Sequence, residues 1–138
     1  MDFSSIINGI VDSQIQNEYA SKPILSLGEL ILLLRLQPQT NAIKIDYGGN
    51  PGSLDSYRGY YKDLAISPDG DTEKTVAAFL SDCENSVGKT YDGYKGGEFT
   101  MTKQTFMWVA CYGTTGKMLT GVESKGKSTV LVTMDDAD

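Results

Sequence analysis

Four stretches in the last third of the chain alternate or run apolar between turn signals: "EFTM" at 98–101, "FMWVACY" at 106–112, "MLTGVES" at 118–124 and "STVLVTM" at 128–134. "GTTG" and "SKGK" punctuate them. Alternation bounded by glycine and small polar residues predicts strands. An antiparallel meander of three or four strands is the expectation, and its apolar face needs a second layer. What else the chain supplies for that layer decides the fold.

Two helices are predicted for it. "TEKTVAAFLSDCENSVG" at 72–88 carries Val76, Phe79, Leu80, Cys83 and Val87 on one face, with Thr72 as N-cap and Gly88 as the terminal glycine. "SLGEL" at 26–30 has the S-x-x-E spacing of a capping box in Ser26 and Glu29. The apolar residues after it, Leu27 to Leu36, nearly surround the helix axis, and Pro38 ends it. A third helix is predicted at 3–19, where Phe3, Ile6, Ile7, Ile10, Val11, Ile15 and Tyr19 recur at helical spacing until "SKP" breaks the pattern.

"AIKIDY" at 42–47 and "KDLAIS" at 62–67 read as two further strands, separated by a long loop that contains four glycines. The expected fold class is α+β: one antiparallel β-sheet of five to six strands, two helices on one face, and an additional N-terminal amphipathic helix. The 138 residues then form a single domain, with an N-terminal arm at 1–22, a core at 23–134 and an acidic tail at 135–138.

Composition narrows the chemistry. A net charge of −6 disfavours duplex nucleic acid, whose non-specific binding relies on lysine and arginine. The chain has no histidine, which removes the commonest metal ligand and general base. Cys83 and Cys111 lack a CxxC spacing and sit in apolar contexts, as reduced structural thiols do. No P-loop, G-x-G-x-x-G or G-x-S-x-G occurs. The expectation is a protein that is not an enzyme, needs no metal or cofactor and does not engage a membrane. The longest apolar run, "LILLLRL", is too short to span one.

Two segments point instead to binding. "DSYRGYYKDLA" at 55–65 sets one of the chain's two arginines among tyrosines, and "YDGYKGGEF" at 91–99 sets a lysine among aromatics and glycines. Arginine's planar fork matches a phosphate and stacks on rings, while tyrosine offers a flat face and a hydroxyl. Tyr57, Arg58, Tyr60, Tyr94, Lys95 and Phe99 are therefore the candidate ligand-binding residues, with phosphate on Arg58 and Lys95 and a base on an aromatic ring.

The order "LSLGELILLL", "SYRGYY", "GYKGGEF" and "WVACYG" resembles a family of small proteins encoded by tailed phages, and the likeness covers roughly residues 25–123. Within it, the chain is similar to the phage anti-Thoeris nucleotide sponges. The resemblance implies a homo-oligomer that binds a small nucleotide-derived signal, of the cyclic ADP-ribose type or a cyclic oligonucleotide, without cleaving it. It implies Trp108 as a further ligand residue and the cytoplasm of the infected bacterial host cell as the location. The chain departs from the pattern at Cys111, where Asn is expected, and at Phe106, where Pro is expected. Two alternatives stand beside this: an acidic inhibitor that docks on a host protein, and an oligomerising domain whose aromatics lie in interfaces.

Overall fold

The computed structural model describes residues 23–56, 63–92, 98–110 and 116–135. The expected helix at 3–19 lies outside them.

The described chain opens with residues that wedge into the sheet rather than with a loop. The Leu25 N–H donates to the Leu119 carbonyl at 2.8 Å, and the Leu25 carbonyl accepts from Met107 N–H at 3.0 Å. Helix α1 (Leu27–Arg35) follows, and its capping box is present in full. The Ser26 hydroxyl accepts from Glu29 N–H at 3.1 Å, and the Glu29 carboxylate accepts from Ser26 N–H at 2.8 Å. Two more first-turn donors, the N–H groups of Leu27 and Gly28, reach the carbonyls of Thr105 and Lys103. No donor in this first turn is therefore left to water, which matters because the helix start is buried. Burial pushes the Glu29 carboxyl above its ordinary range, and the Ser26 backbone and hydroxyl bonds oppose that rise.

Strands β1 (Ala42–Ile45), β2 (Leu54–Ser56), β3 (Leu64–Ile66) and β4 (Lys74–Thr75) precede helix α2 (Val76–Ser86). Strands β5 (Thr90–Asp92), β6 (Glu98–Thr100), β7 (Met107–Val109), β8 (Lys117–Lys125) and β9 (Ser128–Asp135) follow it. Seven strands form one sheet in the order β2-β3-β7-β8-β9-β1-β4, and β5 and β6 form a separate pair.

The class is α+β, but an antiparallel sheet is corrected to a mixed one. β1 runs parallel to β9, and β3 runs parallel to β7. The expected meander survives only as β7–β8–β9, because β6 leaves to pair with β5. The long loop expected between "AIKIDY" and "KDLAIS" also contains β2, which pairs with β3. β9 runs through Asp135, so the first residue of the expected tail belongs to the sheet, where Lys117 holds its carboxylate at 2.6 Å.

Helix α2 begins later than expected. Lys74 and Thr75 pair with β1, and Thr75, not Thr72, caps the helix by accepting from Ala78 N–H. Gly88 takes a φ of +84° just past its end, a conformation that favours glycine. Gly126, at a φ of +61°, does the same in the tight β8–β9 turn.

The register assigns every strand residue to a face. Leu64, Ile66, Met107, Val109, Leu119, Leu131, Ile43 and Ile45 point inward with the buried faces of α1 and α2, in one continuous core. Phe79 is fully buried there, as is Cys83, whose thiol burial pushes far above its ordinary range. A polar link also crosses this layer: the buried Thr129 hydroxyl donates to Gln37 Oε1 and accepts from Asn41 Nδ2. On the outer face, Ala65, Trp108, Met118 and Met134 stand opposite one another across β3, β7, β8 and β9. A second cluster forms there from Ile24, Ala65, Phe106, Trp108 and Met118.

Candidate functional site

Each aromatic-basic segment joins two strands that pair antiparallel. Ser56 stands opposite Leu64 in the β2–β3 pair, and Asp92 stands opposite Glu98 in the β5–β6 pair. The segments at 57–62 and 93–97 therefore connect hairpin arms. Tyr57, Arg58, Tyr60, Tyr94 and Lys95 themselves lie outside the described residues, as does Cys111.

The arms that carry these segments lie together. β2 packs against β5. Leu54 of β2 and Tyr91 of β5 line one shallow cleft, along with Lys74, Asp82, Ser86 and Lys89. In that cleft the Tyr91 and Ser86 hydroxyls are 3.2 Å apart, and Lys89 Nζ lies 4.9 Å from the Tyr91 ring centre. Tyr91 is thereby held as part of the core edge and is 9% exposed.

A second cleft, of about 350 Å³, lies where the other two arms begin. Asp63, the residue after the first segment, lines it with Glu98 and Phe99, the residues after the second. Thr100, Thr102, Gln104, Thr105 and Phe106 complete its described wall. Local bonds fix this wall. The Thr105 hydroxyl accepts from Thr102 N–H at 2.8 Å, the Thr102 hydroxyl accepts from Gln104 N–H at 3.2 Å, and the Thr100 and Thr90 hydroxyls are 2.8 Å apart. Phe99 is half-buried, with its ring packed against the main core.

Trp108 sits otherwise than a stacking platform would. It is 4% exposed, and its indole N–H donates to Asp63 Oδ2 at 2.9 Å. Asp63 thus ties the first segment's end to the outer cluster of the sheet. Sequence inspection missed Asp63, Glu98 and the threonines. Their only signal was position, immediately beside or a few residues beyond the aromatic-basic runs.

The described wall carries carboxylates, hydroxyls and the half-buried Phe99 ring, and no lysine or arginine. It can accept hydrogen bonds from sugar hydroxyls or an exocyclic amine and can contact a flat ring. A phosphate would have to be met from elsewhere. Among the described residues, no group of three or more metal-ligating side chains occurs, and no helix is long and apolar enough to cross a membrane. Searches of known protein families, curated proteins and solved structures found no match to the chain.

Proposed function

We propose that the protein binds a small cyclic nucleotide signal and holds it without cleaving it, acting as a phage-type anti-defence sponge in the bacterial host. The observation that carries this is the shared cleft at Asp63, Glu98 and Phe99, where both aromatic-basic segments end. Two segments, one with Arg58 among tyrosines and one with Lys95 beside Tyr94, thus leave from adjacent points of a wall that is polar and carries no lysine or arginine among its described residues. The base and ribose fall to Phe99, Glu98 and Thr100, and the phosphates fall to Arg58 and Lys95. Cyclic ADP-ribose-type molecules and cyclic oligonucleotides present this combination of flat ring, hydroxyls and phosphates on one compact ligand.

On the described surface, bases offset only part of the acidity that the acidic-inhibitor alternative would use. Four of its carboxylates are matched by bases: Glu84 by Arg35, Glu73 by Lys44, Asp82 by Lys74 and Asp135 by Lys117.

The test is to incubate the purified protein with a panel of cyclic nucleotides, remove free ligand, denature the protein and identify what is released intact. Recovery of an unmodified cyclic nucleotide is expected. Arg58→Ala should weaken binding by about tenfold to a hundredfold, the range for a charge-assisted hydrogen-bonded contact. Arg58→Lys should also weaken it, because the fork and the stacking plane are lost. Phe99→Ala should weaken adenine-containing ligands more than bare pyrophosphate. An Arg58→Ala protein that retains every nucleotide as the parent does would sink the proposal.

A further inference from the structure

The sequence makes α1 apolar almost all round, but the core uses only part of that surface. Leu27, Leu30, Ile31 and Leu34 are buried in the inner core, and Leu33 packs against its edge. Leu32 belongs to neither hydrophobic cluster, although it is half-buried. What Leu32 faces is a cleft of about 510 Å³ between α1, the end of α2 and the turn at Lys103 and Gln104. Gly28, Ile31, Leu32 and Arg35 line it at i, i+3, i+4 and i+7, so one continuous stripe of the helix forms its floor. Val87, the C-cap of α2, adds a second apolar wall.

The two ends of this stripe differ in charge. At the first end, a Cβ on Gly28 would lie 3.0 Å from both the Cβ and the carbonyl oxygen of Lys103, and the Gly28 N–H donates to that carbonyl at 2.9 Å. The lack of a side chain at 28 therefore lets Lys103 seat on the first turn of α1, with its side chain at the cleft. Lys103 is exposed, and among the described residues its ammonium has no ion-pair or hydrogen-bond partner. At the other end Arg35 meets the Glu84 carboxylate at 2.7 Å, so its charge is matched. Arg35 and Lys103 against Glu84 leave the lining with one net positive charge, in a chain whose net charge is −6.

We propose that this cleft binds a medium-chain aliphatic carboxylate, with the carboxylate on Lys103 and the chain lying along Ile31, Leu32 and Val87 toward Arg35. An apolar floor with one unmatched cation at its end complements an apolar chain that ends in one negative charge. The dimensions fit. The stripe from Gly28 to Arg35 is about 10 Å long. An extended chain advances roughly 1.2 Å per bond, so about eight carbons fill it. The Arg35–Glu84 pair closes the far end with charge, so further methylenes gain no apolar contact there. The site goes beyond the nucleotide reading and shares only Gln104 with the cleft at Phe99.

Octanoate is the probe, followed by calorimetric titration of the full-length protein. One saturable site is expected. Affinity should rise by up to about fourfold per methylene from butanoate to octanoate and level off at decanoate. 1-Octanol should bind more weakly than octanoate, and octylammonium more weakly still. Lys103→Gln should lower octanoate affinity by about threefold to tenfold, between the values of an exposed ion pair and a charge-assisted hydrogen bond. Leu32→Glu, which puts a carboxylate into the floor, should remove measurable binding. Should Leu32→Glu unfold the chain, Leu32→Ala takes its place, with a severalfold loss. Arg58→Ala should bind octanoate as the parent does, whatever its effect on nucleotides, so the two readings fail separately. No saturable binding, equal binding of octanoate and octylammonium, or full affinity in Lys103→Gln overturns the proposal. A loss in Arg58→Ala also overturns it, by placing octanoate elsewhere. A parent that sediments as a dimer, with Leu32→Glu monomeric, would assign the cleft to a second copy and overturn it as well.

Discussion

Leu119 and Met118 are neighbours in β8, yet they live in different environments. Leu119 points inward and is held among two helices and the inner side chains of five strands. Met118 points outward into a cluster of five residues, two of which, Ile24 and Phe106, come from outside regular strands. One face is sealed by secondary structure with its own caps and hydrogen bonds. The other is closed at one end by local chain and opens toward Met134. Equal burial of two adjacent side chains therefore does not mean equal confinement, and the cost of a cavity depends on whether its walls can move.

The largest effect should come from the inner core. Phe79 is fully buried in α2 against the sheet. Phe79→Ala should destabilise the protein by about 3–5 kcal/mol, the range for deleting a buried ring, as measured by chemical denaturation. A loss under about 2 kcal/mol would mean that the helix layer collapses easily and that the contrast between the faces is false.

The next step sets the two faces against each other directly. Leu119→Ala should fall toward the upper end of the roughly 2–5 kcal/mol range for buried aliphatic truncation, and Met118→Ala toward the lower end. Methionine is flexible, and its neighbours on the outer face can shift to fill the gap. Equal losses in the two variants would show the outer face to be as tightly closed as the inner one.

A smaller effect probes the buried carboxylate of the inner layer. Glu29 is 3% exposed, and burial raises its proton affinity in the folded state above the ordinary 4.5. The folded chain therefore binds a proton that the unfolded chain has already released. Stability from this group is fully present below about pH 4.5 and is lost as pH rises through the higher folded value. Glu29→Gln removes the titration but keeps an oxygen for the Ser26 N–H, since glutamine also completes a capping box. The variant should match or exceed the parent near neutral pH, and its advantage should shrink as the solution is acidified. A variant much weaker than the parent at neutral pH would show that the charge itself holds the helix start.

How far the sequence foretold this fold depends on how local each signal was. The capping box of Ser26 and Glu29 was legible because both partners lie within one turn. The start of α2 was not, because Lys74 and Thr75 were claimed by β1, a partner some thirty residues away. The parallel pairing of β1 with β9 joins residues more than eighty apart, and alternation within a strand carries no information about its partner's direction. β2 went unseen because "LDS" has neither the length nor the composition of a strand. The aromatic-basic segments stood out by composition. The cleft wall beside them did not, because Asp63, Glu98 and three threonines look like ordinary surface until the fold brings them together.

The smallest expected effect lies at the far edge of the outer face. Lys44 stands opposite Val130, so it rises from the outer side of β1, and its ammonium meets the Glu73 carboxylate at 2.8 Å and the Asn50 side-chain oxygen at 2.9 Å. Both side chains are substantially exposed, at 36% and 57%. Water and salt screen such a pair, and holding two long side chains in one geometry costs entropy. A double-mutant cycle on Lys44→Ala and Glu73→Ala should give a coupling of about 0.2–1 kcal/mol, falling further in high salt. The lysine stem adds some cover to Val130, so Lys44→Ala should cost more than Glu73→Ala. A salt-insensitive coupling well above 1 kcal/mol would place the pair under cover, and the covered part of the outer face would then reach from Trp108 to β1.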